Sequence, residues 1–196
     1  GQVERHQLAG PLVVLDDDQA LVITVPRCDD CSYQAIQVGS DWYASTDYET
    51  HQTSLTKAQA VTDPDGLMRF VVSEQNPGVA NWLETTGHRT GALMLRWQRL
   101  ERDLTQESDG PTVAVVPFAD VASRLPFHSQ NSLSAADYEA RIADRQVGIA
   151  RRRISGSCRT KSSCSPASAP AWAARWARGQ PRPAPWWSIT RARGGW

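Results

Sequence analysis

The stretch PLVVLDDDQALVITV, residues 11–25, decides the fold. Two apolar runs, PLVVL and ALVITV, flank the acidic turn Asp16-Asp17-Asp18-Gln19. In the second run Leu21, Ile23 and Val25 fall on one face, the period of two that a half-buried strand requires. The same texture continues outward. YQAIQV (33–38) has strand composition. Residues 58–61 and LMRFVVS (67–73) are separated by Thr62-Asp63-Pro64-Asp65-Gly66. There Pro presets a turn φ and Gly accepts a positive one, so a hairpin is expected. ALMLRWQ (92–98) sets Leu93, Leu95 and Trp97 on one side, and TVAVVPF (112–118) is an apolar strand ending at Pro117. The first hundred residues therefore read as antiparallel β.

Two helices are expected after them. FADVASRL (118–125) stops before Pro126. The second helix covers 134–152, with Ser134 as cap and Asp137 and Glu139 near the positive end of the dipole. Its apolar stripe is thin, running Tyr138, Ile142, Arg145, Ile149, which suits a helix docked on the surface of a β domain.

A chain of 196 residues is enough for one ordinary domain. Its net charge of zero hides two unlike parts. All 21 acidic residues precede position 151, against 11 Lys and Arg there, a balance of −10. Residues 151–196 carry +10 and no acid. From residue 155 onward Leu, Val, Phe, Tyr and Met are missing, while five of the eight Trp are present. Such a segment cannot fill a core. It reads either as a nucleic-acid or membrane-touching tail, with Arg for phosphate and Trp for stacking, or as out-of-frame translation of a GC-rich gene. We favour the second, and expect a disordered, non-native tail over 154–196 and no specific nucleic-acid partner. No run of 18 apolar residues exists, so no membrane span is expected. The opening residues show no signal-peptide pattern, and an initial Gly suggests a start that has been lost. With four Cys the chain is no disulfide scaffold, and the cytoplasm is the expected compartment. Oligomeric state is not legible.

Several separated motifs carry a family likeness. YQAIQVGSDWYASTDYETHQTSLTKAQAV (33–61), DPDG (63–66), NPGVANWLETTGHRTGALMLRW (76–97) and ADYEARIADRQ (136–146) occur in the order seen in the domain-of-unknown-function family 1214. The chain resembles that family over residues 12–152. The family is often found alone in actinobacterial proteins, or behind a partner domain in other bacteria. The resemblance implies a jelly-roll-like β-sandwich and no established activity. It also implies more chain before Gly1 and an end soon after the last helix. The expected layout is an N-terminal remnant (1–11), a β-sandwich (12–125), a C-terminal helix (126–153) and the tail. One departure is Arg27-Cys28-Asp29-Asp30-Cys31, where relatives tend to carry a small polar turn.

That C-x-x-C is a candidate for zinc or thiol exchange. Structural zinc needs four ligands, and the other two Cys, Cys158 and Cys164, lie in the tail. A redox pair belongs at a helix start, whereas this one joins two strands. Two incidental thiols in a turn are expected, with no metal and no cofactor. Trp42, Tyr43, Tyr48 and His51 interleave rings with polar groups, as a sugar or other small polar ligand requires, or as rim packing would. NPGVANWLETTGHRTG (76–91) offers Asn81, Trp82, Glu84, His88 and Arg89. Residues 81–84 read as a helical turn, with Trp82 plugging one end of the domain. His88 is a candidate base, Glu84 its orienting carboxylate and Arg89 an anion binder. No Gly-x-Ser-x-Gly, H-E-x-x-H or phosphate loop is present. Two functions are compatible with this: a module that binds a small polar ligand or a partner protein, or a hydrolase-like enzyme using His51 or His88 with Glu84 or Asp47. Both place Trp42, His51, Asn81, His88 and Arg89 in one cluster, with an imidazole facing a cleft.

Overall fold

The computed structural model describes residues 7–9, 12–42, 44–100 and 102–156. The expectations placed on Tyr43 and on the tail from residue 157 lie outside the described residues. The chain divides into two units, Gly1–Arg152 and Arg153–Trp196. The two sheets belong to the first.

Among the described residues nine strands form these sheets, and the protein is mainly β. In one sheet β8 (Thr90–Gln98) pairs with β4 (Tyr33–Gly39), which pairs with β5 (Ser54–Thr56). The other edge of β8 takes β1 (Gln7–Ala9) and β2 (Leu12–Val14) end to end. Residues 1–11, expected as a remnant, thus contribute a strand. The second sheet runs β7 (Trp82–Glu84), β6 (Leu67–Ser73), β3 (Gln19–Pro26), β9 (Thr112–Pro117). The two halves of PLVVLDDDQALVITV therefore belong to different sheets. The acidic turn carries the chain between them, closed by Gln19 N–H donating to Asp16 O at 3.0 Å.

The alternation read in the sequence is the alternation that is buried. Leu21, Ile23 and Val25 of β3 meet Met68, Phe70 and Val72 of β6, and face Ile36, Leu93 and Leu95 of the other sheet in one core. In β3 and β6 several residues of opposite parity are buried as well. Ala20, Val22 and Val71 join Trp82 and Val116 in a second core on the outer side of the β3 sheet. A 3-10 turn at Phe118–Asp120 and α2 (Val121–Arg124) cover this side, ending before Pro126 as expected. A further short helix, α1 (Gln106–Asp109), was not foreseen. The long helix α3 (Ala135–Gly156) begins as expected: Ser134 Oγ accepts from Asp137 N at 3.1 Å. Tyr138 sets its ring 5.1 Å from that of Trp82, and Ile149 is buried. No helix among the described residues is long and apolar enough to cross a membrane.

Two local readings are corrected. Residues 58–61 are not a strand. The TDPDG turn forms, with Asp63 N donating to Leu67 O at 2.8 Å and Gly66 at φ 80°, yet β6 pairs with β3 and β7 instead. The expected partner segment has its backbone taken by a side chain, since Asn81 binds both N and O of Val61. Residues 82–84 are not a helical turn but a strand parallel to β6. The reason is burial on two opposite sides. Leu83 enters the core between the sheets while Trp82 enters the outer one. A period of two achieves this, whereas helical neighbours lie only about 100° apart.

Trp82 is 4% exposed and its Nε1 donates to Ser73 O at 3.1 Å. Trp82→Ala is expected to cost about 3–5 kcal/mol, read as the loss of denaturation midpoint in urea. Ser134→Ala removes only a cap and should cost about 1 kcal/mol.

Candidate functional site

Gln52 is the residue around which the polar groups gather. It is fully buried, at the end of the connection from β4 to β5. Its Nε2 donates to Trp82 O and to Ala80 O. Its backbone O accepts from Glu84 N at 3.0 Å, and its N lies 3.2 Å from Tyr138 Oη. Glu84 is thereby drawn beside the same connection. One carboxylate oxygen meets His51 Nδ1 at 2.6 Å and the other accepts from Gln52 N at 3.3 Å. Of the two imidazoles the sequence offered it, Glu84 meets His51 and not His88, because the strand ends at Glu84 and a turn intervenes. In that turn Thr86 and Gly87 both take positive φ.

Beyond the turn, His88 is exposed and lines a cavity of about 240 Å³ with Leu15, Asp16, Asp17 and Glu74. Arg89 does not offer a spare cation there: its Nε donates to Asp17 at 3.0 Å, and Asp16 lies 4.0 Å from Nη2. The carboxyl of Glu74 is held below its usual range by the Thr85 hydroxyl and then by the Gly87 N–H.

Asn81 and Trp82 are corrected as ligand candidates, since they are 2% and 4% exposed with their polar atoms already bonded inside the protein. Trp42, in the turn after β4, is 90% exposed. Tyr48 is half exposed in a turn capped by Asp47, whose Oδ1 accepts from Glu49 N and Thr50 N. The structure thus joins His51 to Glu84, sets His88 and Arg89 past the turn, and turns Asn81 and Trp82 inward.

Tyr48 points to a larger feature. A groove of about 780 Å³ runs between the β4–β5 edge and α3. Its walls carry the rings of Tyr33 and Tyr48 and the side chains of Gln37, Ser54, Thr56 and Gln59. Arg141 and Arg145 enter from α3. Arg141 Nη1 donates to Ala80 O at 2.7 Å and Gln52 Oε1 at 3.2 Å; Arg145 Nη2 donates to Ser54 O at 2.6 Å. Burial pushes both guanidinium groups below their usual range. Sequence reasoning missed Gln52 and both arginines. The signal available was Arg145 itself, a cation inside the apolar stripe of its helix.

Cys28 and Cys31 lie side by side in the turn, with Cα atoms 5.7 Å apart, and both are buried. Lys57 Nζ donates to the carbonyls of both residues. Among the described residues no three His, Cys, Asp or Glu side chains group closely enough to hold a metal.

No protein-family model matches the chain, and no curated protein matches it. An uncharacterised protein from Burkholderia cenocepacia, known from a crystal structure, is similar with a TM-score of 0.54 and 32% identity, over 59% of this chain and 31% of its own. The VPA0106 protein from Vibrio parahaemolyticus is similar at a TM-score of 0.44 and 16% identity, over 57% of this chain and 30% of its own. The chain thus spans under a third of either protein.

Glu74 supplies a pH test. Its carboxyl is depressed in the folded state, so its contribution is complete above the unfolded value of about 4.3. It is lost as pH falls through the lower folded value. Glu74→Gln is expected to flatten the acid limb of thermal midpoint against pH below about pH 4.5, as followed by circular dichroism. An unchanged limb would remove Glu74 from the acid response.

Proposed function

We propose that the chain is a small-polar-ligand-binding or accessory module, built as a jelly-roll-like β-sandwich of the kind the domain-of-unknown-function family 1214 resemblance implies. From the sequence we place it in the cytoplasm. The observation that carries the binding reading is the groove beside α3. Its volume lies in the range of small-molecule sites, roughly 300–1,000 Å³, and its walls combine two tyrosine rings with hydroxyl and amide groups. Rings supply a flat apolar face and the polar groups directed hydrogen bonds. The two-sheet frame, similar in part to the Burkholderia protein, holds one wall rigid.

A second reading, a hydrolase-like enzyme, rests on the His51–Glu84 pair. A carboxylate on Nδ1 fixes the tautomer that leaves Nε2 as the basic atom, and His51 immediately precedes the groove residue Gln52. His88 has no comparable carboxylate contact among the described residues.

Two measurements separate these. A thermal-shift panel of sugars, polyols and small acids should yield ligands whose affinity falls about fivefold in Tyr48→Ala. The midpoint of the free Tyr48→Ala protein should stay within about 2 °C of the parent, because the ring is half exposed. A panel with no binder would sink the module. Turnover of nitrophenyl esters or phosphates that disappears in His51→Ala would instead establish the enzyme.

A further inference from the structure

We infer that the groove beside α3 is an oxyanion site, taking a small molecule that bears a carboxylate or a phosphate, with Arg141 and Arg145 as its counter-charges. The inference rests on the reading of that groove as the ligand site and adds the chemical class.

The first argument is the company these arginines keep. Among the described residues, the one other partly buried arginine, Arg69, and the exposed Arg89 and Arg102 are paired with acids, while the exposed Arg96, Arg99 and Arg124 are not. Arg69 meets Asp63 and Asp65, Arg102 meets Asp109 and Asp30, and Arg89 meets Asp16 and Asp17. Arg141 and Arg145 are half-buried, yet the partners they bond are neutral: Ala80 O, Gln52 Oε1, Ser54 O and Ser54 Oγ. No carboxylate among the described residues lies within ion-pair distance of either. A partly buried cation without a counter-charge is costly. These two also sit one helical turn apart, where like charges repel. An anion between them relieves both costs.

The second argument is donor accounting. A guanidinium has five N–H groups in a rigid fork. The bonds of Arg141 all use Nη1, and those of Arg145 use Nη1 and Nη2. Nε of each and Nη2 of Arg141 remain for a ligand, and the fork suits the oxygens of a carboxylate or phosphate. The neutral bonds already made hold the side chains in place, so little ordering is left for binding.

The third argument is contrast. Residues 1–150 carry a balance of −10, so a paired cation surplus is not the general character of this surface. Asp144 also lines the groove, but it is exposed. The groove holds about 780 Å³, which suits a small molecule better than a polymer. Tyr48, Ser54 and Gln59 are placed to engage the uncharged remainder.

The test is an NMR titration of the full 196-residue chain at low salt with citrate, inorganic phosphate and glucose. Citrate or phosphate is expected to shift the amide resonances of Ser54 and Gln59. Affinity should fall about tenfold in Arg145→Met and in Arg141→Met, and remain unchanged in Arg124→Met. Which anion binds better identifies the carboxylate or the phosphate source. Wild-type mapping alone decides the matter if either groove variant fails to fold. Shifts confined to the basic residues beyond 151 would overturn the inference. Glucose binding in the groove while both anions leave it unmoved would overturn the anion assignment and keep the groove as a ligand site. If none of the three moves Ser54 or Gln59, the oxyanion site is rejected, and the thermal-shift panel decides the groove separately.

Discussion

Ala20, Val22 and Val71 turn away from the core between the sheets and are still buried, so the outer side of the β3–β6 pair requires a second apolar layer. Each such side chain exposed to water would forfeit roughly 1.5–3 kcal/mol for a Val or larger residue. That requirement organises the later part of the chain. It recruits Trp82 through strand β7, Val116 through β9, then Val121 and Leu125 through the segment before Pro126. It also fixes where α3 starts, since Tyr138 must reach the Trp82 ring.

From Tyr138 onward the apolar layer runs thin, and polar anchors take over. Of Ile142, Arg145 and Ile149, only Ile149 is fully buried. The rest of the docking is hydrogen bonding: Tyr138 Oη at Gln52 N, Arg141 at Ala80 O, Arg145 at Ser54 O. Gln52 has no access to water, and leaving its donors or acceptor unmet would cost about 1–3 kcal/mol each. Its bonds to Ala80, Trp82 and Arg141 therefore constrain helix and sheet together. Long arginine stems hold a helix away from a strand, where Leu or Ile would let it close. The groove is the space that those stems keep open.

How much of this was legible varies with the length of the element. Leu21, Ile23 and Val25 announced their shared face because β3 is eight residues long, enough for alternation to show. Ser134 announced the start of α3 by local chemistry. The misses are three-residue edge strands. SLT of β5 is polar and WLE of β7 admits either period, so their pairing depends on neighbours distant in sequence. The 58–61 error has the same root, because the group that occupies Val61 comes from Asn81. Among candidate site residues, Tyr48, His51 and Glu84 came singly from local composition, and which imidazole Glu84 meets was left open, since the pair is 33 residues apart. Gln52 with Arg141, and Ser54 with Arg145, are 89 and 91 residues apart. No window reads that distance, though an arginine within an apolar stripe asks for an explanation.

The stretch NPGVANWLETTGHRTG gathers polar residues that look like one constellation, and strand geometry distributes them. In β7, Trp82 and Glu84 are two apart and so share a side, while Glu84 N donates to Gln52 O along the strand edge. Glu84 must therefore meet the connection that contains His51. His88 comes after the positive-φ turn at Thr86 and Gly87, which sends it to the acidic mouth near Asp17. The imidazole with a carboxylate partner and the groove with two acid-free arginines thus converge on the same few residues, 51–54, from opposite flanks. Arg141 reaches from the groove wall to Gln52 Oε1, and the backbone amide of the same Gln52 donates to Glu84.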